Sequence, residues 1–153
     1  MLPETMSRVP AHTPESANER IQREIEHSVL YYSEHTSEIE ERLDELDREW
    51  DIERTLEANA ASLTLAGLGL GMAVDRRFLW LPVAVASFLL QHAVQGWCPP
   101  VGLFRRLGVR TAAEIDQERY ALKALRGDFA HLPGYPSTAG RHRGEAALRA
   151  VRA

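Results

Sequence analysis

The chain has 153 residues, enough for one ordinary domain or a few helical segments, and its net charge is −4. Its single cysteine excludes an internal disulfide and a zinc site built from several cysteines. Residues 15–57 carry 15 acidic residues and five arginines, whereas residues 58–110 carry one acidic residue and five arginines. A net-acidic chain whose basic residues flank an apolar segment is not typical of a nucleic-acid-binding protein.

Residues 1–17 form the first segment. Their sequence lacks a basic start followed by an apolar run, so it does not match a secretory signal peptide. We expect a flexible leader here.

Residues 18–57 predict an acidic helix with a seven-residue repeat. Its apolar positions recur in steps of four and three, which is typical of a coiled-coil seam. Two interpretations stay open: parallel pairing with a second copy, or packing on the chain's own C-terminal helix. The repeating residues are Ile25, Val29, Tyr32, Thr36, Ile39, Leu43, Leu46 and Trp50.

Residues 58–110 contain two uncharged runs, 58–74 and 78–97. A membrane span needs roughly 17–25 apolar residues to cross a core of about 30 Å. The alternative is a pair of buried helices in a soluble bundle, but such helices normally keep a polar stripe, which neither run has. With only three residues between them, the runs predict a two-span antiparallel membrane hairpin with both flanks on one side.

The arginines near the span ends predict which side that is. Six lie on the flanking side and two, Arg76 and Arg77, lie in the loop. Because basic residues accumulate on the cytoplasmic side, both termini are predicted to be cytoplasmic. The six are Arg42, Arg48, Arg54, Arg105, Arg106 and Arg110.

Small and polar residues within the runs are candidate helix–helix contacts. Gly67 and Gly71 have the spacing that lets helices approach closely, either in a homodimer or within the hairpin itself. Gln91, His92 and Gln95 place polar groups near the end of the second run. Such groups act either as packing contacts or as a proton or ligand site.

Cys98 is the candidate thiol site, because two prolines follow it and are expected to end the second span. Arg105 and Arg106 would lie nearby and lower the thiol pKa. The thiol could then accept a persulfide, bind a soft metal or link two protomers. The alternative is a small apolar residue at a helix end. No second cysteine, acid pair or oriented histidine completes a catalytic arrangement, so we predict no catalytic residue, cofactor or metal.

The string Gly96-Trp97-Cys98-Pro99, followed by Leu107-Gly108, resembles the YgaP-like transmembrane domain family of small bacterial inner-membrane proteins. The resemblance covers about residues 54–111 and implies an inner-membrane hairpin associated with dimerisation. The family's namesake joins its hairpin to a rhodanese domain, a sulfurtransferase, which this chain lacks. Many stand-alone members carry a further cysteine after the Leu-Gly element, where this chain has Thr111-Ala112. The resemblance therefore does not imply paired-cysteine chemistry.

Residues 111–129 predict an amphipathic helix. Thr111 and Glu114 have the spacing of a capping box, and Gly127 is expected to end the helix. Residues 130–153 are rich in basic residues, proline and glycine, so we expect a flexible basic tail.

These segments predict an all-α protein: a two-span transmembrane hairpin flanked by cytoplasmic amphipathic helices. We expect a non-enzymatic anchor or interaction protein in the bacterial inner membrane that self-associates, with an unidentified protein as a further possible partner. The alternative is a thiol- or sulfur-handling accessory protein that uses Cys98 at the cytoplasmic boundary.

Overall fold

A computed structural model describes residues 7–130, and every regular element in that range is helical. The chain is therefore all-α over the described residues, as predicted. Short 3₁₀ helices lie at Pro10–His12, Thr36–Glu38 and Arg76–Leu79. The α-helices are α1 (Glu15–Glu34), α2 (Ile39–Arg48), α3 (Ile52–Ala73), α4 (Trp80–Gln95), α5 (Pro99–Arg106) and α6 (Ala112–Arg126).

The chain divides into two compact units. Among the described residues, unit 1 comprises 7–24 together with Glu49–Ile115, and unit 2 comprises Ile25–Arg48 together with 116–130. Unit 1 holds α3, α4 and α5, and unit 2 holds α2. Helices α1 and α6 each contribute residues to both units.

Helices α3 and α4 of unit 1 lie antiparallel against each other. Asp51 starts α3 by accepting a hydrogen bond from the backbone N–H of Arg54 at 2.7 Å. The 3₁₀ turn Arg76–Leu79 reverses the chain, and Asp75 caps that turn through the backbone N–H of Arg77. The tight helical hairpin is therefore present within unit 1.

Gly96 ends α4, and the prolines do not. Its φ of +75° is left-handed, and its N–H donates to the carbonyl of His92 at 2.7 Å. Pro99 and Pro100 instead begin α5, where a missing N–H and a fixed φ suit the first helical turn. This short helix was not predicted from the sequence, although Pro at a first helical position is a start signal.

The expectation of a flexible leader is wrong for residues 7–17. Val9 is buried in an apolar cluster with Ile52, Leu56, Cys98 and Val101. The segment continues through the first 3₁₀ helix into α1, which begins at Glu15. Residues 1–6 lie outside the described residues.

The single helix predicted over 18–57 is divided into three, which is a correction. Helix α1 ends at Glu34, and the backbone N–H of His35 donates to the carbonyl of Tyr31 at 3.1 Å. The His35 ring also bonds that carbonyl through Nδ1 at 2.8 Å and stacks on the Tyr31 ring. This contact gives the Tyr31 carbonyl a partner at the end of α1, and the seven-residue pattern did not predict it.

Helix α6 follows its predicted signals. The N–H of Thr111 donates to Glu114 at 2.7 Å, and the N–H of Glu114 donates to the Thr111 hydroxyl at 3.3 Å, which completes the capping box. Gly127, with φ of +92°, follows the last helical residue. The predicted basic tail lies outside the described residues from position 131 onward.

Candidate functional site

The outstanding surface of unit 1 is the apolar exterior of α3, the turn and α4. An 18-residue stretch of Arg76–Gln95 has a mean hydropathy of 1.4, and only 6% of it is buried. This is the one helix among residues 7–130 that is long and apolar enough to cross a membrane. The large exposed side chains here, which we call the apolar surface, are Leu63, Leu65, Leu68, Leu70, Met72, Val74, Phe78, Leu79, Trp80, Leu81, Val83, Phe88, Leu89, Leu90 and Val94.

The apolar surface bears on the alternative of two helices buried in a soluble bundle. A helix in a soluble core has its apolar side chains covered by its own chain. Here Trp80 and Met72 are 75% and 81% exposed. Monomeric soluble proteins rarely expose large contiguous apolar patches, so the apolar surface is a candidate contact with a membrane or a protein.

Gly67 and Gly71 pack the hairpin against itself. A Cβ built on Gly67 would lie 2.6 Å from Cδ of Pro82, and one on Gly71 would lie 2.5 Å from Cδ2 of Leu79. Gly69, between them, has nothing within 4 Å. Of the two interpretations left open, the structure therefore shows the contact within the hairpin.

A groove of about 260 Å³ lies between α3 and α4 and extends to the start of α5. Its walls are almost entirely apolar, with Asn59 as the amide among them and Cys98 near the Pro99 end. The other wall residues are Leu56, Ala60, Leu63, Leu81, Ala84, Val85, Phe88, Leu89 and Pro100.

Cys98 is more enclosed than the sequence suggested. It is 3% exposed and belongs to the apolar cluster of unit 1. Burial raises the pKa of its thiol and outweighs the hydrogen bond from the backbone of Val101, while the charge of Glu53 raises it further. The expectation that nearby arginines lower the thiol pKa is therefore wrong.

Arg105 lies in a buried ion pair and not beside the thiol as a free charge. It is 0% exposed, and its Nη1 and Nη2 atoms donate to Glu114 at 2.6 and 2.7 Å. Its remaining donors reach the Thr13 hydroxyl at 3.2 Å, the Val109 carbonyl at 3.1 Å and the Asn18 side chain at 2.9 Å. The guanidinium is thus fully satisfied, which is the condition for burying it.

A second polar cluster, the boundary cluster, consists of Arg8, Glu53 and His92. Glu53 accepts from Nη2 of Arg8 and from Nε2 of His92, each at 2.8 Å. Nη1 of Arg8 also caps the carbonyl of Ala93 at 2.9 Å. The cluster joins the N-terminal segment, the start of α3 and the end of α4.

His92 is 2% exposed, and its Nδ1 has no hydrogen-bond partner among the described residues. The ring reaches the Glu53 carboxylate on α3 through Nε2, across the hairpin. The polar group predicted at the span end is therefore a helix–helix contact through Glu53.

Gln91 and Gln95 do not join this contact. Gln91 is half-buried and Gln95 is exposed, and neither amide makes a side-chain hydrogen bond within residues 7–130. His92 was predicted from the sequence as a candidate contact, whereas its partners Glu53 and Arg8 were not. An antiparallel hairpin places the end of α4 opposite the first turns of α3, where Glu53 lies, but no pattern pointed to Arg8.

Unit 2 is held by ion pairs between α2 and α6. Glu118 is fully buried and accepts from Nε of Arg42 at 2.9 Å and from the Ser28 hydroxyl at 2.5 Å. Arg119 pairs with Asp47 at 3.0 Å. Leu43 and Leu46 are 6% and 1% exposed, so this part of the predicted seam packs inside the chain, whereas Thr36 and Trp50 of the same seam are exposed. Packing within the chain is therefore seen for α2, and pairing with a second copy stays a prediction.

Within residues 7–130, no group of three histidine, cysteine or acidic side chains could hold a metal ion. Comparisons with family models, with curated proteins and with solved structures found no match for this chain. The resemblance to the YgaP-like family therefore stays a prediction.

Proposed function

We propose that this protein is an integral inner-membrane protein whose α3–α4 hairpin crosses the bilayer as two spans and anchors the remaining helices at the cytoplasmic face. In this proposal it acts without catalysis, as an anchor or interaction protein that self-associates.

The observation that carries this proposal is the apolar surface, with 6% burial along the candidate span. A bilayer supplies the missing cover, since lipid chains solvate apolar side chains and every backbone group of a helix is already paired. Helix α3 is the less apolar partner because Glu57, Asn59 and Ser62 lie in its first half. Its packing on α4 through Gly67 supports its insertion together with α4.

The orientation of the hairpin in the membrane is inferred from the arginines of the turn and of the two flanks. Arg76 and Arg77 are exposed at the turn, whereas Arg105 and Arg110 are held in ion pairs with Glu114 and Glu49. The basic residues near the two flanks still outnumber those of the turn, which favours cytoplasmic termini.

Alkaline carbonate washing of membranes tests the proposal. We expect the full chain to stay in the pellet and a cysteine placed in the turn (Asp75→Cys in a Cys98→Ser chain) to be labelled only from the periplasmic side. Release into the supernatant would contradict membrane insertion. Labelling of the turn from the cytoplasm would indicate the opposite topology.

The thiol- or sulfur-handling role is the second candidate, because Cys98 borders the apolar groove. A raised thiol pKa and 3% exposure weaken it, since the thiolate is the reactive form. A persulfide on Cys98 after treatment with inorganic polysulfide, which transfers a sulfane sulfur to the thiolate as a shorter polysulfide leaves, would favour this candidate over the anchor if it is absent in Cys98→Ser.

A further inference from the structure

Helix α5 is amphipathic in an unusual sense, since its inner face holds a charge and its outer face is apolar. Val101 and Arg105 are 0% exposed, whereas Leu103 and Leu107 are 58% and 71% exposed. Positions 103 and 107 are four residues apart and therefore share one face. Trp97, just before the helix, is 39% exposed as well.

The position of α5 along the chain brings this outer face close to the end of the candidate span. Only Gly96, Trp97 and Cys98 separate α4 from α5. An extended connection of this length reaches at most about 14 Å between the last residue of α4 and Pro99. If α4 spans the bilayer, α5 therefore begins at the membrane surface.

The charge around α5 is complementary to an anionic lipid surface. Residues 76–113 contain no acidic side chain. Arg106 is exposed and has no ion pair within residues 7–130, while the neighbouring Arg105 is bound to Glu114. An arginine beside exposed leucines and a tryptophan is the composition of a helix that lies in the headgroup region.

We propose that α5 lies in the membrane plane, with Trp97, Leu103 and Leu107 at the boundary between headgroups and acyl chains and Arg106 at the phosphates of anionic lipids. This inference rests on the proposed function, because it requires the hairpin to be inserted. It adds a surface contact that positions unit 1 against the bilayer and selects the lipid headgroup.

Quenching of a fluorescent label tests the placement in the full Cys98→Ser chain, reconstituted into vesicles of phosphatidylcholine and phosphatidylglycerol. We expect a label at Leu103→Cys to be quenched by lipids brominated near the headgroup and shielded from aqueous iodide. The matched controls are Glu19→Cys, exposed in unit 1, and Val83→Cys, exposed on α4. The first should respond to iodide and the second to deeply brominated lipid.

The outcomes separate this inference from the proposed function. The placement of α5 alone is overturned if iodide, and not brominated lipid, quenches the label at position 103 while brominated lipid still quenches the label at position 83. Shielding of 103 from both quenchers indicates a protein contact and also overturns it. Absence of lipid quenching at 83 overturns insertion itself.

The lipid preference has its own readout at position 107. We expect brominated phosphatidylglycerol to quench a label at Leu107→Cys up to about fivefold more strongly than brominated phosphatidylcholine, since a basic residue near an anionic membrane surface contributes ~1 kcal/mol. Arg106→Gln should abolish the difference, whereas Arg76→Gln should leave it unchanged. Equal quenching by both lipids in the chain with Arg106 would exclude the anionic-lipid contact.

Discussion

At the scale of single residues, unit 1 depends on a few close contacts with little tolerance. Gly67 lies against the ring of Pro82, and Arg105 lies in a buried pair with Glu114. Each contact restricts which residue its position accepts. A side chain added at Gly67 would collide with the proline ring, and removing one charge of the Arg105–Glu114 pair would leave the other charge buried without a partner.

We expect Gly67→Ala to destabilise the full chain by roughly 1–3 kcal/mol, because its Cβ would meet a rigid proline ring. Gly71→Ala should cost less, since its Cβ meets the flexible end of Leu79. Gly69→Ala is the matched control and should be neutral or slightly stabilising, because it meets nothing and improves helix propensity. Unfolding in detergent, followed by circular dichroism, measures all three. A change in oligomeric state without a change in stability would instead support a homodimer face.

Glu114 gives unit 1 a defined dependence on acid. Burial by itself would raise the pKa of Glu114, but hydrogen bonds from Arg105 and Thr111 outweigh it and lower the pKa. The unfolded state therefore takes up the proton first as pH falls. The stabilisation is complete above the unfolded pKa of about 4.3 and is lost as pH falls toward the lower folded value.

We therefore expect the difference in unfolding free energy between the parent chain and Glu114→Gln to shrink as pH falls below about 4.3. Denaturant titrations at neutral pH and at several acidic pH values measure it. Asp128→Asn is the comparison, because Asp128 also has a lowered pKa, caused by Arg126, but is only partly buried in unit 2. A difference for Glu114→Gln that does not change with pH would contradict the assignment.

At the scale of helices, one pattern had two possible uses, and the burial of Leu43 and Leu46 favours packing within the chain. Leu43 and Leu46 lie on the apolar face of α2, whose opposite face is acidic. A seven-residue repeat describes that face equally well in a dimer and in a packed monomer. The paired charges of Arg42 with Glu118 and of Arg119 with Asp47 place α2 on α6 of its own chain.

We expect Leu43→Asp to disrupt unit 2 itself, since an unpartnered charge at a buried position costs several kcal/mol. Glu41→Asp, two residues away and exposed, is the control with the same introduced residue. Hydrogen exchange of the full chain should show lost protection in α2 and in the part of α6 that belongs to unit 2, for the first variant only. Retained protection with loss of a dimer would restore the coiled-coil interpretation.

At the scale of the whole molecule, the segregation of charge and apolar residues is the property that organises the protein. Acidic residues dominate 15–57, and the apolar surface follows. The proposed anchor needs both, because one part must be solvated by lipid and the other by water. Self-association stays a prediction, and Leu43 and Leu46 of the seam that first suggested it are buried within unit 2.

The sequence by itself determined the helical class, the apolar hairpin, the capping box of α6 and its end at Gly127. These features depend on local periodicity and on backbone preferences of single residues, which are visible in any short window. The break at His35 was not predicted, because the bond between its ring and the Tyr31 carbonyl leaves the seven-residue pattern intact.

The tertiary structure decided which groups meet. It paired His92 with Glu53 across 39 positions, enclosed Cys98 with Val9, and neutralised Arg105 with Glu114. The physical reason is that burial and ion pairing are properties of neighbours in space. The same arginine lowers a thiol pKa when it faces the thiol, and has no such effect when a carboxylate already holds its charge.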